Sequence, residues 1–500
     1  MCGLVALHVV PTVACFALAS VWWQLGILGV LGVVQSAMWA AALARLKPPE
    51  PFGLWLRRAQ QPELFEVVDD IAAQMGMKSL DEVELIAEAN AFATQRDGRD
   101  VVALGMPLLA VNLRWELVAT IAHELGHVRG GDVTHPARFA WAAIAALGAC
   151  PAHVLAPLAR HLADDLFLER LTIGRAHEKR ADGWSAHIVG KGGVGPSLRI
   201  DAGIGFVWDN LMRDLAVLAQ NGFFVDNAFA LLRRAYEHAQ ASGHLRSIHA
   251  WIDDALIEDD EHPNLRDRHD HADHMVRRLP HKVPKTDETA RMLLRDAETL
   301  ERGWTRALPM ALHEIPIERL RIIEDATACA RAHSLRAVAA RRAIEERAGA
   351  GAADLPTVSL LQMIHDGITG QNVDRTWLVP VRVGSIEHHL TLRHISCTPA
   401  EAAAWITALL YERIVAGTLK GEVALGVPSK VDVGDRSLCV EELAKQLAGS
   451  GGPWLSVMSA LKDAGRSPTM PARPTPAERE RARKPRRGPR SQFWRRRARR

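Results

Sequence analysis

From Met1 to Ala44 the chain carries no Asp, Glu, Lys or Arg. A helix that crosses a bilayer needs about 20 apolar residues, so this run is long enough for two. GLVALHVVPTVACFALASVWW and LGILGVLGVVQSAMWAAALA are the candidate spans, with Trp22, Trp23 and Gln24 near the turn between them. Tryptophan prefers the lipid–water boundary, which suits that position. A cleaved leader is the alternative, but it would open on a basic residue and have a shorter core. Residues 1–46 are therefore expected to form a transmembrane hairpin. Arg45, Lys47, Arg57 and Arg58 follow it. Basic flanks stay on the cytoplasmic side, which places the bulk of the chain there, against the inner membrane.

The pattern then breaks at the Pro-rich KPPEPFG (47–53). PELFEVVDDIAAQMGM has helical apolar spacing. EVELIAEANAFAT and DVVALGMPLL read as two short strands around the turn QRDGRD. RWELVATIAHELGHV reads as a helix stopped by Gly130 and Gly131. An apolar stretch, FAWAAIAALGACPAHVLAPLA, precedes a long helical pattern from about Arg160 to Val189, and residues 205–345 are largely helical in pattern. AGAGAADLP (348–356) reads as a linker. Between 357 and 465 the character changes: TWLVPVRV and HHLTLRHI look like strands, and TPAEAAAWITALLYERIVAG looks like a helix with Thr398 and Glu401 as a capping box. The expectation is a mainly α protein with a small β-sheet, a core domain over 54–345, and a smaller C-terminal α+β unit over 357–465. The densely basic, Pro-interrupted segment 470–500 is expected to be disordered.

Composition changes this picture little. The net charge is +3 over 500 residues, and the six cysteines form no CxxC pair. That excludes a disulfide-built secreted domain. The basic tail would attract any polyanion. Phe493 and Trp494 are its only aromatics, so anionic lipid is favoured over nucleic acid as its partner.

The candidate chemistry lies in TIAHELGHVRGGD (120–132). Residues four apart share a helix face, so His123 and His127 can offer imidazole nitrogens to one Zn2+, with Glu124 placed to take a proton from water. A buried, structurally satisfied His pair is the plainer reading. A catalytic zinc needs three protein ligands and an open position. In GRAHEKRADGWSAHIVG, Glu178 and Asp182 are four apart. Glu178 would complete a His, His, Glu set, and Asp182 could orient a ligand histidine. An ordinary solvated helix, with Lys179 and Arg180 pairing those acids, is the alternative.

Four ordered blocks resemble the membrane-bound zinc metalloendopeptidases of the HtpX and CAAX prenyl protease type: NAFAT (90–94), ELVATIAHELGHVRGGD, RAHEKRAD and EHPNLRDR. The resemblance covers roughly residues 1 to 275. It implies a zincin-like fold with one zinc per chain held by His123, His127 and Glu178, and Glu124 as general base. It also implies a substrate-pairing edge strand at Asn90, Ala91 and Phe92, His262 as a transition-state stabiliser, and Arg268 as a partner for acidic groups near the zinc helices. Lys179 stands where the family often has an aromatic. If the site forms, residues 139–159 cannot cross the membrane once, since His127 and Glu178 would then lie on opposite sides. The implied function is hydrolysis of membrane or misfolded proteins. The alternative is a silent membrane scaffold with a structural zinc and a partner-binding C-terminal region.

Overall fold

The computed structural model describes residues 53–96, 98–131, 156–190, 192–254, 267–268, 270–271, 274, 286–369, 377–383, 386–392, 397–433, 436–449, 454 and 456–458. The expected hairpin, the apolar stretch up to residue 155, His262 and the basic tail lie outside them. Among the described residues, no helix is long and apolar enough to cross a membrane. The fold is mainly helical with small sheets, and it divides into two compact units.

The first unit (Met1–Gly105, Asn112–Ile200 and Trp251–Leu294) contains a four-stranded sheet. Its strands are β1 (Gly53–Leu56), β2 (Glu82–Ile86), β3 (Ala91–Arg96) and β4 (Arg99–Gly105). Their spatial order is β1-β2-β4-β3, with β2 parallel to β4 and the other two pairings antiparallel. The segment EVELIAEANAFAT, read as one strand, is two. The chain leaves β2 after Ile86, passes the end of β4 and returns on its far side as β3. Gly105 makes the passage possible: a Cβ there would lie 2.2 Å from the Glu88 carbonyl oxygen and 2.7 Å from that of Asn90. After Gly105 the chain turns into a short helix, Met106–Val111, where a strand was expected.

Helix α1 (Pro62–Gln74) starts with Pro62 in its first turn and buries Leu64, Phe65, Val67, Val68, Ile71 and Ala72, one apolar face. Helix α2 (Arg114–Gly130) buries most of its length. Glu116 accepts the Leu113 N–H at 2.7 Å at its start, and Gly131 ends it with φ of 75°. That left-handed conformation is cheap only for glycine. Helix α3 (Ala156–Val189) packs along α2.

The second unit gathers Met106–Val111, Asp201–Ala250 and Arg295–Arg500. Besides Met106–Val111 and His244–Asp254 (up to Ala250), its helices include α4 (Val194–Gln220, from Asp201 on), α5 (Ala228–Ala241), α6 (Ala297–His313), α7 (Asp325–Ala348), α8 (Thr357–Thr369), α9 (Pro399–Val415) and α10 (Val440–Ala448). Its strands are β5 (Phe223–Val225), β6 (Arg321–Ile323), the hairpin β7 (Trp377–Val383) and β8 (Ile386–Leu392), and β9 (Gly421–Ala424), β10 (Val427–Val433) and β11 (Arg436–Cys439). The Thr398–Glu401 capping box forms as its sequence predicts: Glu401 Oε2 accepts the Thr398 N–H at 2.8 Å, and Thr398 Oγ1 accepts the Glu401 N–H at 3.3 Å. Buried Asp214 on α4 accepts the Gly426 N–H at 2.7 Å and pairs with Arg336 on α7, which ties the helical region to the β9–β10 turn.

The segment 348–356 is not a flexible linker. Gly349 and Gly351 supply φ of 116° and 91°, and a tight 3-10 turn follows with Ala352 and Leu355 buried. Arg341 on α7 donates to the Ala353 and Leu355 carbonyls at 3.1 and 2.6 Å and pairs with Glu412 on α9 at 2.7 Å.

His333 on α7 is almost wholly buried and stacks on Tyr411 of α9 with ring centroids 4.1 Å apart. Neither ring nitrogen has a hydrogen-bond partner among the described residues. Burial, with help from the Arg336 charge, lowers its pKa from 6.5 to about 3. The unfolded chain therefore binds a proton that the folded one refuses between those values. Stability rises with pH across that window, by about 1.4 kcal/mol per pH unit. His333→Phe is expected to remove that slope: urea midpoints at pH 4.5 and 7 should lie closer together in the variant than in the parent.

Candidate metal centre

The site is built where α2 and α3 come closest. Gly126 is buried on α2, and a Cβ there would lie 2.8 Å from Ala181 Cα and 3.2 Å from its Cβ. The absence of a side chain lets the helix backbones meet. Ser185 Oγ on α3 donates to the Ala119 carbonyl of α2 at 2.8 Å and fixes their register. Helical spacing then does the rest. His123 and His127 flank Gly126 on one helix, and Glu178 and Asp182 flank Ala181 on the other.

Three donors converge. His123 Nε2 and His127 Nε2 are 3.2 Å apart, with their rings nearly perpendicular. His123 Nε2 lies 3.3 Å from Glu178 Oε2, and His127 Nε2 lies 3.3 Å from the other carboxylate oxygen, Oε1. Zinc holds nitrogen and oxygen ligands at about 2.0–2.1 Å, and tetrahedral placement at that radius separates them by about 3.3 Å. The donor set and its spacing fit a zinc ion, and neutral imidazole plus carboxylate suits that metal. This is the one group of three or more His, Cys, Asp or Glu side chains among the described residues that could hold a metal.

The surroundings orient the donors. Asp182 Oδ1 lies 3.0 Å from His123 Nδ1, which leaves Nε2 facing Glu178. Asp182 is wholly buried, and Arg268 grips it with Nε at 3.0 Å and Nη2 at 2.7 Å. The same Nη2 lies 3.1 Å from Glu178. Burial opposes the charged form of Asp182, but the bonds from His123 and Arg268 outweigh it and hold its carboxyl below the usual range. Burial likewise disfavours charge on His123, and its contacts with Asp182 and Glu178 raise its pKa nonetheless.

Glu124 sits beside the donors. Burial pushes its carboxyl above the ordinary carboxylate range, against the pull of both histidines. Its Oε2 accepts the Ala93 N–H at 3.0 Å. Among the described residues β3 has a strand on one side only, so Ala91 and Phe92 lie on an edge next to Glu124. Asn90 lies just before β3, and its Oδ1 accepts the Ala91 N–H at 2.9 Å.

The structure thus brings His123, His127, Glu178, Glu124, Asp182 and Arg268 together, beside the edge strand that follows Asn90. The residues that sequence reasoning missed are Ala93, which acts through its main chain, and the Gly126–Ala181 pair. A glycine or alanine inside a helical pattern carries no signature of a close crossing. Only the position of Gly126 between two candidate ligands hints at one.

Residues 58–275 match the model of peptidase family M48. A relative named "Protease HtpX homolog" from Thermococcus sibiricus is 34% identical over 27% of this chain and 55% of its own length. A second of the same name from Thermococcus kodakarensis is 38% identical over 15% of this chain and 26% of its own. The chain thus spans about half the length of the first relative and about a quarter of the second. No solved structure matches.

Gly126→Val should push the two helices apart. It is expected to cost about 1–3 kcal/mol of stability from overpacking, read from the urea midpoint, and to weaken zinc binding in competition with a chelator.

Proposed function

Residues 58–275 belong to the HtpX-type metalloproteases of peptidase family M48, and from that premise we propose that the protein is a zinc-dependent endopeptidase. It acts from the cytoplasmic face of a membrane on membrane or misfolded proteins, anchored by residues 1–46. The charge-free run from Met1 to Ala44 supports the anchor, and the basic tail adds a contact with anionic lipid. The observation that carries the reading is the convergence of His123, His127 and Glu178: the two Nε2 atoms lie 3.2 Å apart, and each lies 3.3 Å from a different oxygen of the Glu178 carboxylate.

When bound there, zinc would supply a Lewis acid that makes water nucleophilic near neutral pH. The chain's own residues do the rest. His123, held through Nδ1 by Asp182, keeps its ring fixed toward Glu178. Glu124, raised by burial toward the range a base needs, takes a proton from the attacking water and hands it to the leaving amine. An extended substrate lies along the outer edge of β3 by strand addition, which gives affinity with little demand on side chains.

The test uses detergent-solubilised protein loaded with zinc and casein as substrate. The parent is expected to cleave. Glu124→Gln should keep one zinc per chain while its rate falls by about a thousandfold, within the range for a lost acid–base group. Glu178→Ala should lose the metal. Cleavage by Glu124→Gln at the parental rate, or unchanged zinc content in Glu178→Ala, would overturn the assignment.

A further inference from the structure

The edge strand and the proposed base are joined by one hydrogen bond, from the Ala93 N–H to Glu124 Oε2. In the β3–β4 pairing Arg96 faces Arg99 across the turn, Ala93 faces Val102 and Ala91 faces Leu104. In an antiparallel ladder, hydrogen-bonded and non-bonded pairs alternate. The pair that closes the hairpin is bonded, so Phe92 and Thr94 turn their main-chain groups toward β4, while Ala91 and Ala93 turn theirs outward. Both outward N–H groups are already taken: Ala91's by Asn90 Oδ1, Ala93's by Glu124. An incoming strand needs such outward groups. The edge that would receive a peptide is thus closed at one point by the carboxylate that would act on it.

We propose that the Ala93 N–H is a shared donor: it holds Glu124 in the substrate-free site and passes to a main-chain carbonyl of an extended peptide when that peptide pairs with β3, so that peptide binding itself releases Glu124. The inference rests on the proposed peptidase reading. It makes Ala93 a positioning group that acts twice, first on the base and then on the substrate. The bond occupies one oxygen of the Glu124 carboxylate and fixes where the other points, so its exchange changes how the base meets water. The exchange costs little, since one N–H···O bond replaces another, and the free carboxylate gains the water as its new partner. It also discriminates. A stray water or a compact side chain at the site offers no main-chain carbonyl in register with Ala93, so Glu124 stays held.

The test is Ala93→Pro. Proline removes the N–H and is tolerated on an edge where that group does not serve the ladder. Strand conformation at Phe92 suits the residue before a proline. With zinc-loaded protein and casein, the shared-donor proposal expects KM to rise about tenfold, one hydrogen bond's worth, with kcat within about twofold of the parent. A fall in kcat at constant KM would mean that the N–H stays on Glu124 throughout, and it would overturn the exchange. Unchanged kcat and KM would remove any role for Ala93. If the parent itself fails to cleave casein, the peptidase reading fails instead.

A second measurement needs neither metal nor turnover: amide hydrogen exchange of metal-free protein labelled with 15N-alanine. The Ala93 amide should exchange about tenfold faster in Glu124→Ala than in the parent, because a charge-assisted bond is lost. Saturation with a casein peptide that the zinc-loaded parent cleaves should restore its protection. Equal exchange in both proteins, or no restoration by the peptide, would overturn the proposal independently of Ala93→Pro.

Discussion

The close approach of α2 and α3 at Gly126 and Ala181 is the constraint on which the site depends. Imidazole and carboxylate side chains are short, so donors from two helices can meet only if the backbones are nearly in contact. The glycine supplies that proximity, and Ser185 sets how far one helix slides along the other. Once distance and register are fixed, the four-residue spacing on each helix presents His123 with His127 and Glu178 with Asp182 to the same volume without further adjustment. The sheet is placed by a similar economy. Gly105 admits the chain crossing from β2 to β3, and that crossing brings β3, an edge strand among the described residues, to Glu124.

Charge is the second organising fact. Glu124, Glu178 and Asp182 are three buried carboxylates beside two imidazoles, and the Arg268 guanidinium contacts both Glu178 and Asp182. An uncompensated buried charge costs several kcal/mol. Arg268 offsets part of that charge, burial favours the neutral form of Glu124, and the contacts with Asp182 and Glu178 favour the charged form of His123.

Much of this was legible because it is periodic. The four-residue spacing of His123 and His127, and of Glu178 and Asp182, marks one helix face each, and Gly130 and Gly131 mark where α2 stops. The turn between β3 and β4 and the Thr398–Glu401 cap follow local rules that hold wherever those residues occur. What escaped depends on contacts distant in sequence. The alternation of EVELIAEANAFAT continues across the break between β2 and β3, because the break is imposed by the end of β4 rather than by the segment itself. The turn at 349–355 looks like a linker until Arg341 is seen to collect its carbonyls. Ala93 left no trace, since a main-chain donor is the same in every residue but proline. The expectations for residues 1–46, His262 and 470–500 fall outside the described residues.

Arg268 reaches the centre through a single guanidinium, and it touches Asp182, Glu178 and the His123 ring at once. Its counter-charge is thus delivered by a residue far along the chain from both α2 and α3. Loss of this one side chain would leave two buried acids without the cation that they share.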